Sequence, residues 1–209
     1  MSLRTEKAAR IKIQVLDQTI KMIGKKSFDD LYIDELCKKV KISKVTLFKY
    51  FPQKEDILLY YFRVWCLARS VELLTKPKEG LQGIYYLFDK LSQSYENNPG
   101  LLLALVGYLT DMNRSPKPFP IKPDEKKLLF PQVTAIGSVE MLTVDQMLEK
   151  FVLEAMLNKE ITRTSGTKDI TNALTTLFFG CVVTAHIQKS HPVKLFFRRN
   201  VDMVLRGLS

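Results

Sequence analysis

The sequence predicts an all-α protein of about nine helices, and three observations support this class. Apolar residues recur at steps of three and four through most of the 209 residues, which is the period of an amphipathic helix. No segment alternates apolar and polar residues as a half-buried strand does. Prolines fall between the periodic segments, where they end helices. With 46% hydrophobic and 26% charged residues, the composition is typical of a globular protein.

The first helix is predicted at residues 5–24. Apolar residues at steps of three and four form its buried stripe: Ile13, Leu16, Ile20 and Ile23. Gly24 is suited to the end of this helix, because glycine readily adopts the left-handed conformation found there. Phe28 and Leu31 are expected to pack between the first helix and the next one.

Two short helices joined by a tight turn are predicted at residues 33–51. In the first, apolar residues share one face: Ile33, Leu36 and Val40. Ser43 then carries a side chain that accepts hydrogen bonds from the free backbone N–H groups of a new helix. That helix begins near residue 44, and two apolar residues face back toward the first helix: Leu47 and Phe51. Pro52 lacks a backbone donor and marks the end.

This order of parts is the pattern of a helix-turn-helix, whose second helix enters the major groove of DNA. No acidic residue lies between Glu35 and Glu55, whereas six cations do: Lys38, Lys39, Lys41, Lys44, Lys49 and Lys54. A phosphate-facing surface needs such a set, because each neutralised phosphate releases counterions. The alternative is a solvated face that only aids solubility. Both alternatives also apply to four cations near the start of the first helix: Arg4, Lys7, Arg10 and Lys12.

Residues 28–58 resemble the N-terminal DNA-binding domain of the TetR family of transcriptional regulators. The resemblance runs through a series of positions with unbroken spacing: Phe28, Ile33, Leu36, Ile42, Ser43, Lys44, Thr46, Leu47, Phe48, Tyr50, Phe51, Lys54, Glu55, Ile57 and Leu58. Four positions depart from the family pattern: Ser27, Tyr32, Lys41 and Val45. If the turn needs a left-handed residue at Lys41, the Cβ atom costs about 1 kcal/mol there. Val45 alters the surface presented to base edges.

The resemblance implies two domains and a homodimer. It places a homeodomain-like DNA-binding domain of three helices at residues 1–53 and a helical domain for effector binding and dimerisation at residues 54–209. It also implies that the last two helices pair with their counterparts in a second copy. An unidentified small-molecule effector would bind among the C-terminal helices, whose aromatic residues and methionines either line its pocket or simply form core.

The charge distribution agrees with a nucleic-acid-binding N-terminal end. Residues 1–60 hold 13 Lys and Arg against 8 Asp and Glu, a net +5 of the total +10. The remaining 149 residues therefore carry the other +5, at less than half the density. A basic region of this kind indicates the part of a protein that meets nucleic acid.

The later helices are predicted from their periodicity and from the breaks between them. A fourth helix at residues 54–75 would connect the two domains. The others follow at residues 80–95, 101–112, 124–130, 144–158, 167–188 and 193–208. Four prolines exclude regular structure between residues 113 and 124, which are predicted to form a surface loop or flap: Pro116, Pro118, Pro120 and Pro123. After a polar break at residues 162–167, a small-residue stripe would let another helix approach closely: Ala173, Leu177, Gly180, Cys181 and Thr184.

Other classes of protein lack a supporting motif. The N-terminus does not resemble a signal peptide, and the apolar stretch near Leu101 is far shorter than the roughly 20 residues of a membrane helix. Cys37, Cys66 and Cys181 lack metal-ligand spacing and are expected to be buried thiols of a cytoplasmic protein. No phosphate loop, nucleophile elbow or pair of carboxylates indicates an enzyme. No cofactor, metal or membrane partner is expected.

The sequence therefore predicts a sequence-specific transcriptional regulator, a ligand-responsive repressor that binds a pseudo-palindromic operator in double-stranded DNA as a dimer. Seven DNA-contacting residues are predicted: Ser43, Lys44, Val45, Thr46, Lys49, Tyr50 and Lys54. Valine methyls pack on thymine methyls, whereas Thr46 and Tyr50 suit phosphates. Lys49 is expected to read a base, and Lys54, which resembles the family's phosphate-contacting lysine, a phosphate. The alternative is a nonspecific or architectural nucleic-acid-binding protein without an effector.

Overall fold

The computed structural model describes residues 3–114, 119–162 and 166–207. Within these residues every regular element is a helix, which confirms the all-α class. Ten α-helices follow one another in this part of the chain, close to the predicted number: α1 (Leu3–Ile23), α2 (Ile33–Val40), α3 (Lys44–Tyr50), α4 (Asp56–Thr75), α5 (Gly80–Asn97), α6 (Pro99–Thr110), α7 (Pro123–Leu129), α8 (Val144–Leu157), α9 (Thr167–Gln188) and α10 (Val193–Arg206). Two single 3₁₀ turns accompany them: Phe28–Asp30 and Ile136–Ser138.

The helices form two compact units that do not follow the chain order. The N-terminal unit comprises Met1–Val71 and Asn98–Glu140, and the C-terminal unit comprises Glu72–Asn97 and Met141–Ser209. Helices α6 and α7 therefore belong to the same unit as α1–α3, and both pack against α1. The boundary predicted after residue 53 separates DNA binding from effector binding and dimerisation, not one packing unit from another. It stays a prediction.

Helix α1 is buried on two sides in the N-terminal unit, because it packs against both α2 and α7. Of its predicted stripe, Leu16 and Ile23 are fully buried, whereas Ile13 and Ile20 are partly exposed. Five further residues that the stripe did not include are also buried: Ala9, Ile11, Lys12, Val15 and Thr19. The buried face is broader than the predicted one because α7 supplies a second neighbour that sequence periodicity does not report.

Lys12 corrects the expectation that the cations of the first helix lie at the surface. Its Nζ atom donates hydrogen bonds of 2.9 Å to both carboxylate oxygens of Glu125 in α7. The same atom lies 4.5 Å from the ring centre of Tyr60 and 4.7 Å from that of Phe119. Burial lowers the pKa of Lys12, although the hydrogen bond and charge of Glu125 oppose this effect. Lys12 is therefore an internal ion-pair residue rather than a DNA-backbone contact.

Helix α6 approaches the turn that follows α1 very closely. It begins with Pro99 at its first position, where the missing N–H costs no hydrogen bond. A Cβ atom on Gly100 would overlap the backbone carbonyl oxygen of Lys26. A glycine is therefore required at this point of contact in the N-terminal unit.

Two predicted segments start differently in the structure. Helix α4 begins at Asp56 instead of residue 54, because the backbone before it is closed by hydrogen bonds between residues three apart, from the Asp56 N–H to the Gln53 carbonyl and from the Ile57 N–H to the Lys54 carbonyl. Pro123 opens α7 and does not disrupt it. Pro116 and Pro118 lie outside the described residues, as do residues 163–165 of the predicted polar break.

The C-terminal unit is built from four long helices. Helix α5 packs against α8 and α10, and α9 packs against α8 and α10. Aromatic side chains fill its core: Phe88, Phe151, Phe178 and Phe197. Cys181 of the predicted small-residue stripe is buried in this core, as expected of the three thiols, and burial raises the pKa of its thiol to about 12. None of the three cysteines forms a disulfide.

Helix α9 is long and apolar enough to cross a membrane by length and composition alone. The core helix of a globular protein meets the same criterion. Leu174, Phe178 and Val182 of α9 are buried inside the C-terminal unit, so this helix already has protein neighbours for one face.

Candidate nucleic-acid interface

The turn between α2 and α3 has a standard helix-ending geometry with an unusual residue. Lys41 adopts a left-handed conformation, with φ 60° and ψ 45°. The Ile42 N–H donates to the Cys37 carbonyl at 3.0 Å, and the Lys41 N–H donates to the Lys38 carbonyl at 3.3 Å. These two bonds form a Schellman motif, which satisfies the last free carbonyls of α2. The left-handed residue expected at this position is therefore present, with a lysine in place of glycine.

Ser43 caps the start of α3, as its position predicted. Its Oγ atom accepts a hydrogen bond of 3.1 Å from the Thr46 N–H. The hydroxyl groups of Ser43 and Thr46 also lie 2.9 Å apart and share a hydrogen bond. Two of the seven predicted DNA-contacting side chains are therefore already engaged with each other at the first turn of the helix.

The inner side of α3 holds the helix against the rest of the N-terminal unit. Leu47 and Phe51 are each 1% exposed, and Leu36 of α2 is fully buried. The Phe51 ring stacks on Phe119 with ring centres 5.6 Å apart, and it meets the Tyr60 ring edge-on at 5.7 Å. Aromatic pairs at such distances contribute beyond their buried area. The orientation of α3 is therefore set by contacts at both of its ends.

The outer side of α3 presents four exposed residues: Lys44, Val45, Phe48 and Lys49. They fall within one arc of the helix, because successive residues are rotated by about 100°. Val45 is 81% exposed and Phe48 41% exposed. Thr46 and Tyr50, which were predicted to face outward, are only half-exposed at the edges of this arc.

Phe48 is the exposed residue that the sequence-based selection left out. A helical wheel drawn from Leu47 as the buried centre would have placed Phe48 next to Lys44 on the outer side. An aromatic residue is more often assigned to a core than to a surface. Its partial exposure here makes it part of the surface that α3 presents.

Lys44 forms an ion pair across the turn. Its Nζ atom lies 2.7 Å from a carboxylate oxygen of Asp34 in α2, and both side chains are largely exposed. The hydrogen bond with Asp34 and the charge of that carboxylate raise the pKa of Lys44. The positive charge of Lys44 is therefore partly neutralised by its own domain. Lys49, by contrast, forms no ion pair or hydrogen bond with any side chain among the described residues.

Lys54 lies just before α4 and is held by the turn that precedes α2. Its Nζ atom donates a hydrogen bond of 3.3 Å to the backbone carbonyl of Asp29. The same atom lies 4.9 Å from the ring centre of Phe28. A cation over an aromatic face is attracted by the ring electrons. Lys54 is thereby positioned, and only two of its three ammonium protons remain for another partner.

An open cleft lies beside the N-terminal end of α2. Lysines and acidic residues both line it, together with one tyrosine and one methionine: Lys21, Met22, Lys26, Asp30, Tyr32, Glu35 and Lys39. Tyr32 is 64% exposed. The lysines could contact phosphates, although Asp30 and Glu35 offset part of their charge.

Comparisons with known proteins agree with this geometry. Residues 15–61 match the family model described as bacterial regulatory proteins, tetR family. A search of curated proteins found no significant match. The matched region spans α2, the turn, α3 and the start of α4, so it contains all seven predicted DNA-contacting residues.

Solved structures share the fold over nearly the whole chain. NemR of E. coli in its reduced form is 17% identical, with a TM-score of 0.58, and the match covers 93% of this chain and 97% of NemR. FadR of Bacillus subtilis in complex with stearoyl-CoA is 13% identical with a TM-score of 0.59, covering 94% and 99%. GusR of Salmonella enterica is 16% identical with a TM-score of 0.53, covering 94% and 96%. Residues 15–61 are therefore similar to the tetR family of bacterial regulatory proteins, and the chain shares the fold of these solved structures over nearly its whole length.

Proposed function

We propose that the protein is a cytoplasmic, ligand-responsive transcriptional repressor that binds a pseudo-palindromic operator as a homodimer. The observation that carries the DNA-binding part is the outer face of α3, where exposed lysines and apolar side chains stand on a helix capped by Ser43 and backed by Leu47. Such a helix is the element that helix-turn-helix proteins insert into the major groove. Two copies in a symmetric dimer would read two half-sites.

Selection of bound duplexes from a random pool tests this function. A regulator returns a consensus with two inverted half-sites, because its α3 helices contact base edges in two major grooves. A nonspecific or architectural binder returns no consensus. The second outcome would contradict the proposal and support the alternative.

Lys49 and Lys54 are proposed to have different roles. Lys49 is exposed in the last turn of α3 and would read a base, whereas Lys54 is held just before α4 and would bind a phosphate. Lys49→Ala should reduce discrimination between operator variants. Lys54→Ala should weaken binding to all duplexes and lower the salt slope by about one unit. Lys78→Ala, at an exposed position between α4 and α5, is the matched control, and an equal loss on every sequence for both variants would contradict the assignment.

The dimer is proposed to form through α9 and α10. Three large apolar residues of these helices are exposed: Ile187 of α9 at 73%, and Leu195 and Met203 of α10 at 43% and 66%. A Cβ atom on Gly180 would meet no other atom within 4 Å, so this point of α9 lies open. Exposed apolar side chains next to a residue without a side chain suit close helix packing between copies.

Sedimentation of the purified protein tests the dimer. Gly180→Arg should convert it to monomers, because a charged side chain would enter the helix contact. Leu157→Arg is the control, since Leu157 of α8 is 81% exposed but lies away from the proposed surface. A Gly180→Arg variant as dimeric as the unchanged protein would refute this interface.

Effector binding is proposed for the C-terminal helices, with a shift of α4 as its consequence. FadR, which shares the fold, was crystallised with stearoyl-CoA, so this compound is the first probe to test. An effector must bind the DNA-free form more tightly than the DNA-bound form. Release of a labelled operator by stearoyl-CoA would identify an acyl-CoA response. The mechanism fails if α4 occupies the same place in crystals of the free and effector-bound dimer.

A further inference from the structure

We propose that residues 119–129 form a strap whose closure on α1 and on the end of α3 sets the affinity of the N-terminal unit for DNA. The strap begins at Phe119 and includes the whole of α7. This inference rests on the proposed function, because it concerns how the DNA-binding helix is held. It does not concern which bases that helix contacts.

Phe119 joins the strap to the end of α3. Phe51 follows α3 directly, and its ring lies parallel to that of Phe119 with ring centres 5.6 Å apart. Phe119 also meets the Tyr60 ring of α4 edge-on at 5.7 Å. Removal of Phe119 would therefore uncover one face of Phe51, which is 1% exposed. The direction of α3 thus depends on the strap as well as on α1 and α2.

Glu125 joins the strap to α1. Both of its carboxylate oxygens accept hydrogen bonds of 2.9 Å from the Lys12 Nζ atom. The same ammonium lies 4.7 Å from the ring centre of Phe119. Lys12 therefore contacts the strap at two points, one in α7 and one before it. Loosening either attachment weakens the other, because they share this side chain.

The strap has few contacts that would keep it closed permanently. Helix α7 has seven residues, fewer than the roughly 12–15 that an isolated helix needs in water. Within residues 119–129, all of which the structure describes, two side chains are buried: Ile121 and Glu125. Few buried apolar contacts lower the free energy of local opening. Opening also returns both charges of the ion pair to water, which offsets part of their lost attraction. The strap can therefore open while the rest of the unit stays folded.

An opening strap that positions α3 must be linked to DNA binding. If the closed form holds α3 in the direction that DNA needs, then DNA stabilises the closed form by the same free energy. Bound DNA should therefore protect the backbone amides of α7, although α7 lies outside the helix-turn-helix. A strap with a purely structural role would not respond in this way.

Hydrogen exchange of the full chain, followed by mass spectrometry, tests this linkage. Exchange is compared with and without the consensus operator, or with a mixed-sequence duplex at low salt if selection returns no consensus. We expect DNA to slow exchange in α7 by about fivefold or more, which is the contribution of one aromatic pair. Helix α8 of the C-terminal unit is the internal control. Exchange that slows in α3 but stays unchanged in α7 would overturn the proposal.

Two variants shift the strap in opposite directions. Phe119→Leu should speed exchange in α7 and weaken DNA binding by between about threefold and tenfold. Phe88→Leu is the matched control in the core of the C-terminal unit, and it should leave DNA binding unchanged. Lys12→Met combined with Glu125→Leu should slow exchange in α7, because opening no longer hydrates two charges. This double variant should bind DNA at least as tightly as the unchanged protein.

The outcomes separate the strap from the proposed function. A folded Phe119→Leu variant with unchanged affinity would overturn the strap. If that variant does not fold, the double variant decides, because slower exchange in α7 together with weaker DNA binding would show that closure does not favour DNA. Absence of a consensus in the duplex selection would refute the proposed function alone, since the mixed-sequence duplex still tests the strap.

Discussion

The N-terminal and C-terminal units each hold a carboxylate bound by basic side chains, but the N-terminal ion pair is buried and the C-terminal one is exposed. In the N-terminal unit, the side chains of Lys12 and Glu125 are 10% and 2% exposed. In the C-terminal unit, Asp89 binds Arg198 through two hydrogen bonds of 2.7 and 2.6 Å and lies 3.2 Å from Lys194. The side chains of Arg198 and Lys194 are 46% and 50% exposed and that of Asp89 is 18% exposed, so this pair is open to solvent on its basic side.

Ion pairs of similar chemistry therefore affect stability to different degrees, depending on whether they are buried. A buried pair has lost the hydration of both charges, so each partner depends on the other. An exposed pair exchanges its partners for water at little cost. The Lys12–Glu125 pair therefore determines whether α7 stays on α1, whereas the Asp89 network only adds to helices that already pack through Phe88, Phe178 and Phe197.

The largest effect is expected from breaking the buried pair on one side. Glu125→Leu should lower the free energy of unfolding by about 3–5 kcal/mol, because it leaves the Lys12 charge buried without a partner. Urea denaturation followed by circular dichroism measures this change. The double variant Lys12→Met with Glu125→Leu should recover most of the loss, since it removes both charges. A single variant as stable as the unchanged protein would show that the pair does not hold α7.

A smaller effect is expected from Arg198→Ala. Removing the guanidinium of this exposed pair should lower the free energy of unfolding by at most about 1 kcal/mol, because solvent screens the interaction. The same denaturation experiment measures it. Arg198→Lys keeps the charge and loses the paired hydrogen bonds, so it separates the two contributions. A loss as large as that of Glu125→Leu would contradict the comparison.

The pH dependence of unfolding tests the contribution of Asp89 to the ion pair of the C-terminal unit. Burial raises the pKa of Asp89, but the hydrogen bonds and charges of Arg198 and Lys194 outweigh this effect and hold it below its ordinary value of 3.8. A carboxyl group whose pKa is lowered on folding stabilises the protein above its unfolded pKa, and this contribution is lost as the pH falls through the folded value. Asp89→Asn should therefore unfold with a shallower pH dependence below about pH 5. Identical pH profiles for the variant and the unchanged protein would contradict this prediction.

The smallest effect on stability is expected at Asp34, although DNA binding should respond. Asp34→Asn removes the carboxylate from the fully exposed Lys44, so the urea midpoint should not change measurably. The released ammonium should strengthen binding to all duplexes and raise the salt slope by about one unit. Fluorescence anisotropy at several salt concentrations tests this expectation. Weaker DNA binding by Asp34→Asn would indicate that the pair is needed to orient α3.

Sequence reasoning succeeded where the determining contacts are local. The turn at Lys41, the cap at Ser43 and the inward direction of Leu47 depend on residues within five positions of one another. It failed for Phe48, because the exposure of an aromatic residue depends on which neighbours cover it. It also left Lys12 at the surface, since nothing near residue 12 reveals a carboxylate in α7.

The amino-acid sequence by itself determined the helices, their caps and the helix-turn-helix, because backbone hydrogen bonds and side-chain periodicity act over a few residues. The tertiary structure alone decided that α6 and α7 join the DNA-binding unit and that Asp34 restrains Lys44. It also brought Lys12 to Glu125, 113 residues away. Such pairings depend on which surfaces meet after the chain has folded, and burial then multiplies the strength of the charges that are brought together.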